Sequence, residues 1–460
     1  VLDGDFSNLF FLEQRPDEDF EQLSQEFRLS SPGGETLAYI VGVYLESQEL
    51  SSLNTTDISL LALSAVNVPG SPVPPFELGL SPTYEQDAET AAAFGQLSWN
   101  FAEEWTLTAG LRYSYDKKEA DLDTFITDIR SQEPTQNPAL PAVASQLLQR
   151  VDFMLADDRS SSNLSYSANL SWDYSDNGMA YLRIARGYKT GGFNAAFFVS
   201  EPLQPGDPVP EDFEYGDEEV NSIELGAKMT LLDGAAELNL AVFHTELSDL
   251  QVSTFRDSGF IVGNAAESTS EGFEAEARWN AAPFLNFALS ASYLDSEYDD
   301  FPGAPCTNAQ ALAGDGSGSD ADIAAVVAAG CIGYTGGSTG TTNLAGQVAG
   351  RAPEWSGSFI TNLILPIGDS MFFNASVDVL YEDELNERLD PNYQDSYYKV
   401  NARLGLASKD QTWAVALIGK NLTDEITYGN GAGVGFFTGS WFKNRQEPRT
   451  VALDLTYRFQ

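Results

Sequence analysis

His244 is the only histidine among the 460 residues, and Cys306 and Cys331 are the only cysteines. A lone imidazole cannot supply a multi-histidine metal site. Its parity with Leu238, Leu240 and Val242 puts His244 at the lipid side or boundary of a strand. Both cysteines fall in one Gly/Ala/Asp-rich insertion, about residues 299–346. An even pair in an exported loop predicts a disulfide rather than two free thiols, because exposed thiols outside the cytosol oxidise. Nucleophilic catalysis finds no support, since no G-x-S-x-G elbow occurs and no nucleophile can be matched with a base. Gly187, Gly191 and Gly192 are no phosphate cradle, because no helix follows them. They read as places for a kink or close packing in a long strand. The sequence therefore predicts no catalytic residue, no metal site and no cofactor.

Binding is the chemistry that remains. Tyr188, Lys189, Phe193 and Asn194 stand at the outer end of a strand and are candidates for ligand contact. Phe436, Phe437 and Trp441, with Phe197, Phe198, Phe213, Tyr215 and Phe442, lie in long connections. They suit either an apolar lip for a flat organic chelate or the packing of loops against one another.

The element that must hold these residues is a long hairpin over residues 161–194. Leu164, Tyr166, Ala168, Leu170, Trp172 and Tyr174 share one parity, while Asn163, Ser165, Ser167, Asn169, Ser171 and Asp173 share the other. After the turn at residues 175–178, Leu182, Ile184 and Tyr188 alternate with Arg183, Ala185, Gly187 and Lys189. Period-two alternation of this length exceeds a sandwich strand of about six residues and suits a tilted strand that crosses lipid and continues above it. No apolar run approaches the roughly 18 residues of a helical span.

The same pattern recurs along the chain. Leu23, Phe27 and Leu29 turn at residues 31–34 into Leu37, Tyr39, Val41, Val43 and Leu45. A long polar stretch, about residues 48–86, leads to Ala91, Ala93, Leu97 and Trp99, and a short link joins these to Trp105, Leu107, Ala109, Leu111, Tyr113 and Tyr115. Trp99 and Trp105 flank that link as an aromatic girdle would. Further hairpins follow near residues 223–242, 273–293, 355–381 and 398–417, and Val451, Leu453, Leu455, Tyr457 and Phe459 form a last strand. The intervening long segments are about residues 118–158, 193–217 and 299–346. Short turns on one side and long connections on the other predict an all-β, transmembrane antiparallel β-barrel with the long loops outside the cell. About fifteen strands are visible, with part of another at residues 6–13. An odd count without a signal peptide implies a single barrel domain, residues 1–460, incomplete at its N-terminus.

Charge excludes further classes. With 24 Lys and Arg against 68 Asp and Glu, the formal charge is −44, which repels nucleic acid. Solubility in a salty habitat accounts for such a balance, and acidic loops that gather cations are compatible with it. On the parity opposite the apolar one lie Glu26, Arg28, Arg112, Arg183, Glu224, Lys228, Glu274, Glu276, Arg278, Lys399 and Arg403, a hydrated and mutually paired lumen wall.

These residues carry a family resemblance. Residues 180–194, A-Y-L-R-I-A-R-G-Y-K-T-G-G-F-N, resemble the Y-x-x-x-(S/A)-x-G-Y-K-x-G-G-F-N stretch of TonB-dependent outer-membrane receptors. Residues 20–29, F-E-Q-L-S-Q-E-F-R-L, resemble their F-x-Q-x-S-Q-E-x-R-L strand; residues 419–425, G-K-N-L-T-D-E, their V-x-N-L-x-D-E element; and residues 448–451, P-R-T-V, the start of their final strand. The resemblance implies a 22-stranded barrel with an N-terminal plug, of which the TonB box, plug and first strands are absent here. It implies a Gram-negative outer-membrane receptor that takes up a scarce nutrient, foremost a ferric siderophore or related iron chelate, with energy passed from the TonB complex. Uptake of a glycan, cobalamin or aromatic compound by the same fold, or a passive pore or adhesion barrel, are the alternative functions.

Overall fold

The computed structural model describes residues 2–3, 12–34, 36–59, 77–127, 134–135, 152–197, 207–256, 259–307, 310, 313–314, 319–334, 340–387, 390–433 and 441–459. Fifteen long strands build one sheet: β1 Leu12–Ser30, β2 Leu37–Ser59, β3 Glu77–Ala102, β4 Trp105–Thr127, β5 Phe153–Ser175, β6 Gly178–Lys189, β7 Glu218–Leu231, β8 Ala236–Arg256, β9 Gly259–Ala282, β10 Leu285–Asp300, β11 Trp355–Ile367, β12 Met371–Glu382, β13 Tyr397–Ser408, β14 Trp413–Lys420 and β15 Thr450–Tyr457. Each pairs antiparallel with its neighbours in the chain, an up-and-down meander. The part-strand expected at residues 6–13 falls mostly outside the described residues, which omit 4–11; Leu2–Asp3 pair with Glu13–Gln14. Among the described residues nothing pairs β15 with β1, so the sheet is open.

Lipid dictates the lower part of every strand. Leu37, Tyr39, Val41, Val43 and Leu45 point outward and are exposed, as are Leu111, Tyr113 and Tyr115. Trp99, Phe101, Trp105, Trp172 and Tyr174 form a continuous aromatic chain beside the short turns; the Trp105 and Trp172 rings stack at 5.5 Å. Phe273, Tyr293 and Trp355 meet higher up, at 5.0 to 5.8 Å. These are the two girdles of a membrane barrel. His244 follows the outward parity just beyond Phe273, its ring nitrogens 2.8 Å from Glu271 and 3.1 Å from Glu246, which is the boundary position its parity predicts.

The strands do not stop where the apolar outward face stops. β3 has 26 residues, and β2, β4 and β5 have 23 each, whereas a crossing takes about 9–11. Much of what reads as long polar connection, at residues 48–86 and 118–158, is therefore strand: β2 runs to Ser59, β3 begins at Glu77, β4 reaches Thr127 and β5 begins at Phe153. The reason is an inversion of the pattern. Above the lipid the outward face of β4 becomes Lys117, Glu119 and Asp121, while Ala120, Leu122 and Ile126 turn inward and are buried. Leu80 and Tyr84 on β3 and Phe153 and Leu155 on β5 do the same. A strand whose apolar parity switches halfway loses its alternation signal.

On the lumen face, large rings lie across glycines of the neighbouring strand: Phe94 opposite Gly42, Tyr181 opposite Gly226 and Phe243 opposite Gly272. A Cβ on Gly226 would sit 2.4 Å from the Tyr181 ring, whose hydroxyl donates to Glu224 at 2.6 Å and so cannot swing away freely. Gly226→Ala is expected to cost about 1–3 kcal/mol by overpacking. Gly263→Ala, in open space, is expected to cost less. The check is the temperature at which each variant loses its heat-modifiable migration in detergent; equal midpoints would dismiss the ring-over-glycine contact as a stabilising element.

Candidate functional site

The inward apolar patch above the lipid is covered by the chain between β6 and β7. Phe193, Phe197 and Phe213 of this segment join Tyr84, Ala120, Leu122, Phe153 and Leu155 of the wall in one buried cluster. Phe213 packs on Phe193 at 5.2 Å and on Phe197 at 5.8 Å. Residues 192–193 pair with 214–215 as a short ladder, and Gly191 lies so near that a Cβ would stand 2.1 Å from the Tyr215 carbonyl oxygen. The close packing expected of these glycines is what the structure shows.

Polar groups latch the segment down. The Asn194 Nδ2 donates to the carbonyls of Asp212 and Val262 at 2.8 and 2.9 Å, and its Oδ1 accepts from the Val262 N–H at 2.8 Å. Asp217 accepts from Asn163 Nδ2 and the Gly191 N–H, both at 2.7 Å, and from Arg159 at 3.1 Å. Arg159 also pairs with Glu214 at 3.0 Å. Lys118 Nζ donates to the Gly191 carbonyl at 2.7 Å, and Gln251 and Asn264 hold the carbonyls of Thr190 and Gly216. Burial alone would raise the Asp217 carboxyl, but Asn163, the Gly191 N–H, Arg159 and Ser161 together outweigh it and hold the group below the usual carboxylate range.

The predicted contact residues separate on this frame. Phe193 and Asn194 are buried, each 5% exposed, and serve the packing of the segment. Tyr188 shares its parity with lipid-facing Leu182 and Ile184, yet its hydroxyl donates to Asp116 of the lumen face at 3.0 Å. Pairing of β5 with β6 stops at Tyr166–Arg186, so the top of β6 is released to turn inward. Lys189 is exposed at that end. Trp441 lies on a second extracellular element, the hairpin of Tyr428–Gly433 with Trp441–Arg445, opposite Gly433. Phe436 and Phe437 lie outside the described residues, as does Phe198. The insertion after β10 holds the Cys306–Cys331 disulfide, a nine-residue helix Asp320–Ala328, and a small core of Phe301, Ala304 and Leu344 against Ala266.

A family model described as "TonB dependent receptor-like, beta-barrel" matches residues 4–422. The chain belongs to this family of TonB-dependent receptor β-barrels. It is an outer-membrane barrel of the Gram-negative type, and its fold is that of a receptor. The pesticin receptor of Yersinia enterocolitica is 26% identical over 276 residues, 60% of this chain and 34% of that protein. The "Probable TonB-dependent siderophore receptor PiuA" of Acinetobacter baumannii is 24% identical over 47% of this chain and 25% of its own length. Among solved structures, the ferric yersiniabactin uptake receptor FyuA from Yersinia pestis superposes with a TM-score of 0.68 at 17% identity, over 98% of this chain and 56% of that one. PiuA from Acinetobacter baumannii superposes with a TM-score of 0.61 at 16% identity, over 96% of this chain and 56% of its own. The chain thus spans about a third of the pesticin receptor it matches.

In this TonB-dependent receptor barrel the residues that sequence reasoning passed over are those of the latch: Arg159, Asp217, Gln251, Asn264 and Lys118. The readable signal was the parity switch between Tyr115 and Ala120, which requires something apolar inside the wall. Asp217→Ala leaves Arg159 half-paired at 9% exposure and is expected to loosen the segment by about 3 kcal/mol. Limited proteolysis between residues 195 and 212 is the readout. Because the folded carboxyl titrates below its unfolded value, the latch contributes fully above the ordinary carboxylate range and is lost only as pH falls through the lowered value. The native segment should resist cleavage alike at neutral and mildly acidic pH, whereas equal cleavage of variant and native protein would remove Asp217 from the latch.

Proposed function

We propose that this barrel serves active uptake of a scarce iron chelate, foremost a ferric siderophore, across the outer membrane, with TonB as the source of energy. The observation that carries the reading is family membership combined with a polar lumen wall, in which Arg112 lies over Tyr44 and Phe94, Tyr181 bonds to Glu224 and Arg403 pairs with Asp454. Such a wall suits solute passage rather than a sealed core. The printed roles of its relatives, ferric yersiniabactin uptake for FyuA and siderophore reception for PiuA, direct the choice of cargo. Ligand contact in this reading falls to Lys189 and to the hairpin of Trp441 with its connecting Phe436 and Phe437, because Phe193 and Asn194 are spent on packing.

Deleting the gene in its host under iron limitation is expected to abolish accumulation of radiolabelled iron from at least one ferric chelate, and loss of TonB to do the same. Uptake that persists without TonB would make the barrel a passive pore. Unchanged iron accumulation with impaired growth on a glycan, cobalamin or an aromatic compound would reassign the cargo.

A further inference from the structure

Residues 397–460 hold 8 of the chain's 24 basic residues and only 5 of its 68 acidic ones, an excess of positive charge in a chain of −44. Within them, residues 426–446 carry Lys443 and Arg445 and no carboxylate. The fold gathers further cations at the base of that hairpin. Lys443 Nζ lies 4.7 Å from the centroid of the Tyr428 ring, and Arg445 is the direct cross-strand partner of Tyr428. Lys399 donates to the Gln446 side chain at 2.6 Å, and Arg351 reaches the Gly429 carbonyl at 3.5 Å.

Three carboxylates beside this base have other partners. Glu382 accepts from the Tyr397 hydroxyl at 3.0 Å, Glu447 pairs with Lys420 at 3.6 Å and Asp424 with Arg449 at 2.9 Å. Asp383, Glu384, Glu387, Asp390 and Asp395, on the connection before β13, are the local opposing charge. Lys443 and Arg445 have no carboxylate within ion-pair distance among the described residues. Elsewhere on the extracellular side Lys117, Arg159 and Arg186 are each neutralised by an acid.

We propose that the Tyr428–Arg445 hairpin, through Lys443, Arg445 and Lys399 around Tyr428, is the site that captures the cargo, and that it selects anionic chelates over neutral ones. This rests on the chelate-uptake reading. In a protein whose overall field repels anions, an anionic ligand gains most where cations lie close together without a carboxylate paired to them, as Lys443 and Arg445 do among the described residues. Lys443 is held in place by the ring beneath it, which spares part of the entropy of ordering a long side chain on binding.

The test uses the intact receptor purified from outer membranes, with two hexadentate ferric probes: a tri-anionic tris-catecholate and a neutral tris-hydroxamate. Binding is followed by quenching of tryptophan fluorescence. Lys443→Gln with Arg445→Gln is expected to weaken the tris-catecholate about tenfold, with the difference shrinking at high salt, and to leave the tris-hydroxamate unchanged. Lys443→Arg with Arg445→Lys, which keeps the charge, should restore most of the affinity. Glu384→Gln with Asp395→Asn should tighten tris-catecholate binding two- to threefold. Equal losses for both probes, no loss for either, or no binding of the tris-catecholate overturns the proposal. Binding of the tris-hydroxamate alone would do so while leaving chelate uptake intact; binding of neither probe counts against both.

Discussion

No backbone N–H or C=O can be left unpaired in hydrocarbon, and everything in this chain follows from that rule. It forces a membrane strand to find partners on both sides, which is why β2 to β14 each pair with two neighbours in one antiparallel meander. It also explains how little the sequence advertises itself. The apolar residues that lipid demands are only every second one, so no stretch reads as a membrane segment until parity is followed residue by residue. Once the ladder is satisfied, side chains are free to serve two solvents, with Val41, Val43 and Leu45 for lipid on one face and Tyr44, Glu46 and Arg112 for the lumen on the other.

The lower half of the molecule was legible for this reason. The 161–194 hairpin, the girdle tryptophans and the boundary position of His244 all depend on neighbours in sequence or on a solvent that imposes one rule everywhere. The upper half obeys a different rule. There water lies outside and a folded segment lies inside, so Leu122 and Phe153 face inward on the parity that was polar a few residues below. A single alternation template reads this as loop. Nor could sequence distance reveal that Asn194 would bond to Val262 or Asn163 to Asp217, because those partners are neighbours only after the strands between them have been laid side by side.

The two aromatic-rich extracellular elements differ in what their side chains have left to offer. Between β6 and β7 the rings are consumed by a core and the amides by carbonyls, which leaves a rigid inner lining. Among the described residues, the Tyr428–Arg445 hairpin is tied at its base by the Tyr428 N–H to Gln394 and by Arg351 to Gly429, with Thr427 and Lys399 on Gln446 beside it. For Phe193, Phe197 and Phe213 it is the apolar wall opposite that fixes their role.

The parity inversion near Asp116 has a consequence for how such a barrel can change over generations. Below it, a substitution is judged by lipid and by the machinery that inserts strands; above it, by a small water-surrounded core with its own latch. The two codes meet on one backbone, so β3 to β5 each carry a natural splice point at that height. A lineage can rebuild the exposed crown without renegotiating its membership of the membrane.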